Sequence, residues 1–204
     1  MKLSRWQRGL ALAFFAVSVV LPVAAAVRRL SEWLRPPLPI FSRVPEFSLL
    51  GQDGKPVAAA SLRGRPWVAN FIFTRCRGVC PALTEQMRRF KERCPGARRA
   101  RVLSVSVDPA HDTPEVLRAY AEQRGAADEN WSFVTGDRAT VYELVTKGFR
   151  LAVQEVGGSP DEPIVHSEKF VLVDGDLQIR GYYSGLDSQS LDRLCGDLRR
   201  LARD

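Results

Sequence analysis

Thiols and imidazoles are scarce in this sequence: 204 residues contain four cysteines and two histidines. So few cysteines exclude a fold that depends on a disulfide framework, and a 45% hydrophobic content supports a core without one. No glycine-rich phosphate loop and no Ser/His/Asp arrangement that would support a hydrolase is present, nor any internal repeat at solenoid periods. A basic stripe interleaved with aromatics is also missing, although the net charge is +7 and the pI about 9.6. The densest basic run, "CPGARRAR" from Cys94 to Arg101, lies between a helical pattern and a strand, as a solvated turn does. Scattered charge of this kind serves solubility and weak surface attraction, so no nucleic-acid partner is expected.

Charge is absent from one long stretch. After Lys2, Arg5 and Arg8, the chain from Gly9 to Val27 carries none, close to the roughly 20 residues that span a bilayer core. Ala24-Ala25-Ala26 would suit cleavage of a signal peptide, but the apolar run exceeds the roughly 7–15 residues of a signal h-region. An uncleaved anchor is the expectation. Arg28 and Arg29 follow at once, which leaves the flanking charge bias weak. The predicted division is a cytoplasmic n-region at 1–8, a transmembrane anchor at 9–27, a proline-rich spacer at 28–43 and a folded domain at 44–204. The chain is then a single-pass protein of the inner (cytoplasmic) membrane with its domain on the periplasmic side.

Within the domain, strand and helix signals alternate. "EFSLL", "GQDGKP" and "VAAASL" predict a β-hairpin with Asp53-Gly54 at its tip. "PWVANFIF" is nearly all apolar, as a strand buried on both faces requires. A helix is predicted from Pro81 to Arg93, a strand at "RVLSVSV", and a helix capped by Thr113 with Pro114 in its first turn. "WSFVT", a helix from Asp137 to Phe149, strands at "LAVQEV", "KFVLVD" and "LQIRGYY", and a helix from Ser188 to Ala202 complete the chain. Such alternation predicts an α/β sheet with helices on both faces.

Chemistry concentrates at "FTRCRGVCP", where Cys76 and Cys80 follow the buried strand and open a helix. Free N–H groups and the positive end of the helix dipole stabilise thiolates there, and Arg75 and Arg77 add positive charge. Both sulfurs are therefore expected as thiolates near neutral pH. Three intervening residues, Gly78 among them, set the pair apart from a Cys-x-x-Cys oxidoreductase signature and let it bite one metal ion. Two sulfurs are too few for a closed structural zinc site, but they suit Cu(I). A third ligand must come from a histidine. Taken alone, His111 in "DPAHDTP" and His166 in "PIVHSEKFVLVD" are loop residues, but the loop before "KFVLVD" would face the cysteine loop in a thioredoxin-like sheet.

"FTRCRGVCP", "LSVSVDPAHDTPEVLRAY" and "VHSEKFVLVDGDLQIRGYY", in this order, resemble the SCO/SenC family over about Val44 to the C-terminus. The resemblance implies a membrane-anchored, thioredoxin-like copper protein that assists cytochrome c oxidase assembly. It implies Cys76, Cys80 and His166 as ligands of one copper, as Cu(I) or Cu(II), and Asp108 as a supporting residue near the site. Delivery would be to the binuclear copper centre of a cytochrome c oxidase subunit, or to another periplasmic cuproprotein. The chain departs from the family at Val165, which stands where an acidic or polar residue is common. Arg77 and Gly78 likewise replace a usual proline and acidic residue, making the loop more cationic.

Other functions remain open. The same dithiol without metal could act as a thiol-disulfide oxidoreductase on a partner's copper-site cysteines, and thiol peroxidases share thioredoxin-like folds. Cys94 and Cys195 are taken as small buried apolar residues, with a disulfide as the alternative because their helices would cover one face of the sheet. Trp67, Phe71 and Phe73 have strand periodicity and are assigned to the core; "GSPDEP" is assigned to an exposed loop. Immunoblotting of fractionated cells should find the full-length chain in the membrane; a mature form starting at Val27 would reject the anchor.

Overall fold

The computed structural model describes residues 6, 16–33, 36–97, 100–155 and 164–202. The chain falls into two compact units, 1–37 and 38–204. In the first, a π-helical turn at Ala16–Val20 leads into α1 (Leu21–Trp33). Among the described residues no helix is long and apolar enough to cross a membrane, and residues 9–15 of the predicted span lie outside them.

The second unit is an α/β thioredoxin-like domain built on one eight-stranded sheet. Its strands are β1 (Ser42–Arg43), β2 (Ser48–Gly51), β3 (Pro56–Ala58), β4 (Trp67–Ile72), β5 (Arg101–Ser106), β6 (Trp131–Thr135), β9 (Lys169–Val173) and β10 (Gln178–Ser184). They lie in the order β1-β10-β9-β4-β5-β6-β2-β3. Among the described residues, β7 (Val153–Glu155) and β8 (Ile164–His166) pair only with each other, as a separate antiparallel ribbon. The helices are α2 (Val79–Arg93), α3 (Pro114–Gln123), α4 (Arg138–Glu143) and α5 (Ser188–Leu201).

β4 is central because every one of its residues can be buried. It pairs in parallel with β5 and antiparallel with β9. Trp67 and Phe71 point to one face, where Phe149 meets them edge-on at ring distances of 6.2 and 5.1 Å. Asn70 points to the other face, where its Oδ1 accepts from Ser104 Oγ, which in turn accepts from Trp131 Nε1. On that second face α2 presents Leu83, Met87 and Phe90, spaced for a single helical stripe. Tyr120 of α3 reaches α2 through a 2.9 Å hydroxyl contact with Thr84. Helices thus cover both faces, as the alternation predicts.

Several elements differ from expectation in detail. The hairpin forms, with Gly54 at φ +77° in its turn, and extends the sheet beyond β6. Its second strand stops at Ala58, because Ala59–Leu62 wind into a 3₁₀ turn that buries Ala59 and Leu62. The alanine-rich segment lacks the β-branched side chains that would hold it extended. The helix expected from Asp137 to Phe149 is α-helical only to Glu143 and widens to a π-turn at Leu144–Gly148. That widening delivers Phe149 to the core. Residues 38–41 are held to β10: Phe41 N–H donates to Ile179 O, and Arg180 donates to the carbonyls of Leu38 and Pro39.

Cys94 and Cys195 form a disulfide with Cα atoms 5.7 Å apart, which corrects their assignment as separate apolar residues. Cys94 caps the C-terminus of α2 and Cys195 lies within α5, so the bond ties the two helices on one face. It closes a span of 101 residues, for which chain entropy predicts about 4–5 kcal/mol and native proteins typically show about 2–5 kcal/mol. The Cys94→Ser/Cys195→Ser chain should lose stability in that range in urea unfolding; a loss under about 1 kcal/mol would show that the helices are held by packing alone.

Candidate functional site

Cys76 lies in the turn after β4, its N–H donating to Phe73 O at 3.3 Å. Helix α2 begins at Val79, two residues before the predicted start at Pro81, so Cys80 sits inside the first turn. Gly78 occupies the N-cap position and offers no side chain, leaving backbone N–H groups for the sulfurs. Cys80 N–H donates to Cys76 Sγ at 3.3 Å. Both cysteines are reduced and buried, at 4% and 0% exposure.

His166 ends β8, and its Nε2 stands 3.2 Å from Cys80 Sγ. Nδ1 is 3.1 Å from Ser167 O. Since a carbonyl only accepts, Nδ1 carries the proton and Nε2 presents its lone pair to the sulfur. Phe73 packs edge-on against the imidazole at 5.7 Å, and burial lowers the His166 pKa, keeping the ring neutral. Gly185 N–H holds Glu168 O at 3.0 Å, and a Cβ at Gly185 would strike Leu83, Phe170 and Glu168. Only glycine permits that close approach beside the histidine ribbon.

The two thiols differ. Cys76 is lowered from 9.0 to about 6, first by the hydrogen bond from the Cys80 side chain, with burial opposing and the N–H groups of Cys80, Gly78 and Val79 assisting. Cys80 is pushed up by the same contact with Cys76 and by burial. The expectation of two thiolates near neutral pH is therefore corrected to one thiolate and one thiol. A buried pair of sulfurs in contact favours a single shared negative charge over two.

The loop between β5 and α3 backs the site. Asp108 Oδ2 accepts from Arg75 Nε and Nη2 at 2.9 and 2.6 Å, so this residue reaches the cysteine loop through Arg75. His111 is exposed and its backbone N–H turns to Asp108 O; it does not join the sulfurs. Asp112 was not evident as a site residue in the sequence, where Thr113 stands out as the cap. Asp112 is fully buried and accepts from Thr74 N–H, Thr74 Oγ1 and Ser106 Oγ, at 3.1, 2.5 and 2.5 Å. Burial raises its pKa against those hydrogen bonds. Its partner at position 74 lies 38 residues away, beyond any local signal.

Cys76, Cys80 and His166 are thus brought to one place. Among the described residues no group of three or more His, Cys, Asp or Glu side chains is arranged to hold a metal ion as it stands. In this metal-free state the Cys80 backbone N–H donates to Cys76 Sγ, and Cys80 Sγ lies 3.2 Å from His166 Nε2. The donor set, two soft sulfurs and a neutral imidazole, fits copper rather than Mg²⁺ or Ca²⁺. The "GSPDEP" loop lies outside the described residues.

The model of the family SCO1/SenC matches residues 41–203. The chain belongs to the SCO1/SenC family. The SCO1 protein homolog of Bacillus subtilis (strain 168) is 31% identical over 163 residues, covering 79% of this chain and 83% of that protein. Among solved structures, BsSco, a member of the Sco family of cytochrome c oxidase assembly proteins, matches with a TM-score of 0.72 at 30% identity. That match covers 82% of this chain and 98% of BsSco. The copper-bound ScoI of Bradyrhizobium japonicum matches with a TM-score of 0.63 at 25% identity, over 78% of this chain and 99% of that one.

Alkylation of Cys76 should rise as pH passes through about 6 and level off above it, rather than climb towards 9. In Cys80→Ala the midpoint should move up, because the hydrogen bond that contributes most to the lowering is gone. A midpoint unchanged by that substitution would contradict the shared-proton account.

Proposed function

We propose that this SCO1/SenC protein is a copper metallochaperone that carries one copper ion on Cys76, Cys80 and His166. The observation that carries the proposal is the 3.2 Å approach of His166 Nε2 to Cys80 Sγ across 86 residues of sequence. A neutral ring with a free nitrogen lone pair beside two sulfurs supplies three donors of suitable softness. Three ligands leave a coordination position for an acceptor's thiolates, so copper can pass through a shared intermediate. The acceptor is the binuclear copper centre of a cytochrome c oxidase subunit, a role in keeping with the assembly family to which BsSco belongs. Residues 9–27 anchor the chain in the cytoplasmic membrane with the domain on the periplasmic side. Supporting this, Val17, Leu21, Val23 and Val27 expose their apolar side chains, which favours a lipid environment. The disulfide on the domain fits an oxidising compartment.

A second function is favoured by the unequal thiols. The Cys76 thiolate can attack a partner disulfide, forming a mixed disulfide and releasing one partner thiolate. Cys80, once deprotonated, attacks Cys76 Sγ and frees the second partner thiolate. Two electrons pass to the partner, and the Cys76–Cys80 pair is left as a disulfide.

Metal analysis after copper exposure should give one copper per wild-type chain and a large loss in Cys76→Ala and Cys80→Ala. His166→Ala should lose about 10–100-fold in affinity, a magnitude typical even of residues that only support metal ligands, together with its Cu(II) absorption. Full affinity in His166→Ala would overturn the three-ligand carrier while leaving dithiol reduction in place.

A further inference from the structure

We propose that Asp112 is a positioning residue for the dithiol loop: its buried carboxylate fixes Thr74 to the end of β5 and thereby sets where Cys76 stands. The inference rests on the copper-carrier function and adds a residue to its machinery.

Asp112 sits immediately before the N-cap of α3, yet it does not cap that helix. Thr113 does so, accepting from Val116 N–H. The side-chain contacts of Asp112 go elsewhere. Both carboxylate oxygens accept from Thr74, at its amide and its hydroxyl, and Oδ2 also accepts from Ser106, the last residue of β5. Ser106 Oγ accepts in turn from Asp108 N–H at 3.1 Å. Asp108 then holds Arg75. Two successive residues of the cysteine loop, Thr74 and Arg75, are thus gripped by two carboxylates of the loop after β5.

The two grips differ in kind. Arg75 is 45% exposed at its side chain, so its ion pair with Asp108 is open to water and salt. Asp112 is wholly enclosed, at 0% exposure, and directional hydrogen bonds from Thr74 and Ser106 meet its carboxylate. Thr74 precedes Cys76 by two residues, with the turn Cys76 N–H to Phe73 O between them and the sulfur. Little freedom remains to Cys76 while Thr74 is clamped. Freeing Thr74 would let Cys76 drift, so that binding must first order the loop before three donors can close on one ion. Preorganisation of this sort is where residues behind metal ligands exert their effect.

The test uses the full chain carrying Asp112→Asn, Asp112→Ala or Thr74→Val, with Thr113→Ala as a control that weakens only the α3 cap. Two quantities are read: copper affinity in competition with a chelator, and amide hydrogen exchange over residues 73–80. Asp112→Ala should lose about tenfold in copper affinity and exchange the loop amides faster. Asp112→Asn keeps an acceptor for Thr74 and should recover most of both. Thr74→Val should fall between, which keeps the proposal open to test if Asp112→Ala does not fold. Thr113→Ala should leave both unchanged. Unchanged loop exchange in Asp112→Asn, Asp112→Ala and Thr74→Val alike overturns the inference. So does faster exchange at unaltered copper affinity, which would leave Asp112 purely structural. Failure of the wild-type chain to take up copper would sink the carrier function instead, and loop exchange would still decide whether Asp112 positions Cys76.

Discussion

Cys80 and His166 meet although 86 residues separate them, and much of the domain can be understood from what that contact requires. The sulfur must be presented by the first turn of a helix that follows a buried central strand, which β4 and α2 supply. The imidazole must come from a segment outside the main sheet, and the β7–β8 ribbon supplies it. Gly185 lets the chain after that ribbon pack closely, Phe73 flanks the ring, and Ser167 fixes its tautomer. Each of these acts on orientation; none adds a donor atom to the site.

Burial has a second consequence, a division of labour between the thiols. Enclosing two sulfurs in contact makes a double negative charge costly, so Cys76 takes the charge and Cys80 the proton. A soft cation relieves the same constraint, because it neutralises both sulfurs and can engage the neutral imidazole. On the proposed function, copper carriage and disulfide reduction would be two uses of one electrostatic arrangement, the first with a metal on the sulfurs and the second with the sulfurs bare before a partner disulfide. The enclosed carboxylate of Asp112 follows similar logic on the other side of the loop. Its three hydrogen bonds, each contributing about 1.5–3 kcal/mol to a charged acceptor, only partly offset a desolvation of several kcal/mol.

Much of the domain was legible in sequence because its signals are local. A nearly all-apolar run marked β4, Thr113-Pro114 marked the start of α3, and Asp53-Gly54 marked the hairpin turn. Thioredoxin-like topology then placed His166 opposite the cysteine loop. What escaped the sequence depends on distance in space rather than pattern along the chain. The Cys94–Cys195 bond needs two helix positions to approach within a few ångströms, and helical spacing alone does not fix that. Asp112 reads locally as one more polar residue before a cap, while its partners come from the turn after β4 and the end of β5. The protonation of Cys80 was missed for a similar reason: the helix N-terminus argued for two thiolates, and mutual repulsion under burial outweighed it.

X-ray absorption spectroscopy at the copper edge, on the Cu(I)-loaded chain, tests the central claim most directly, since it counts the atoms around the ion. Two sulfurs and one imidazole nitrogen are predicted for the wild-type chain, with the nitrogen lost in His166→Ala. A shell made of sulfur alone in the wild-type chain would contradict the account.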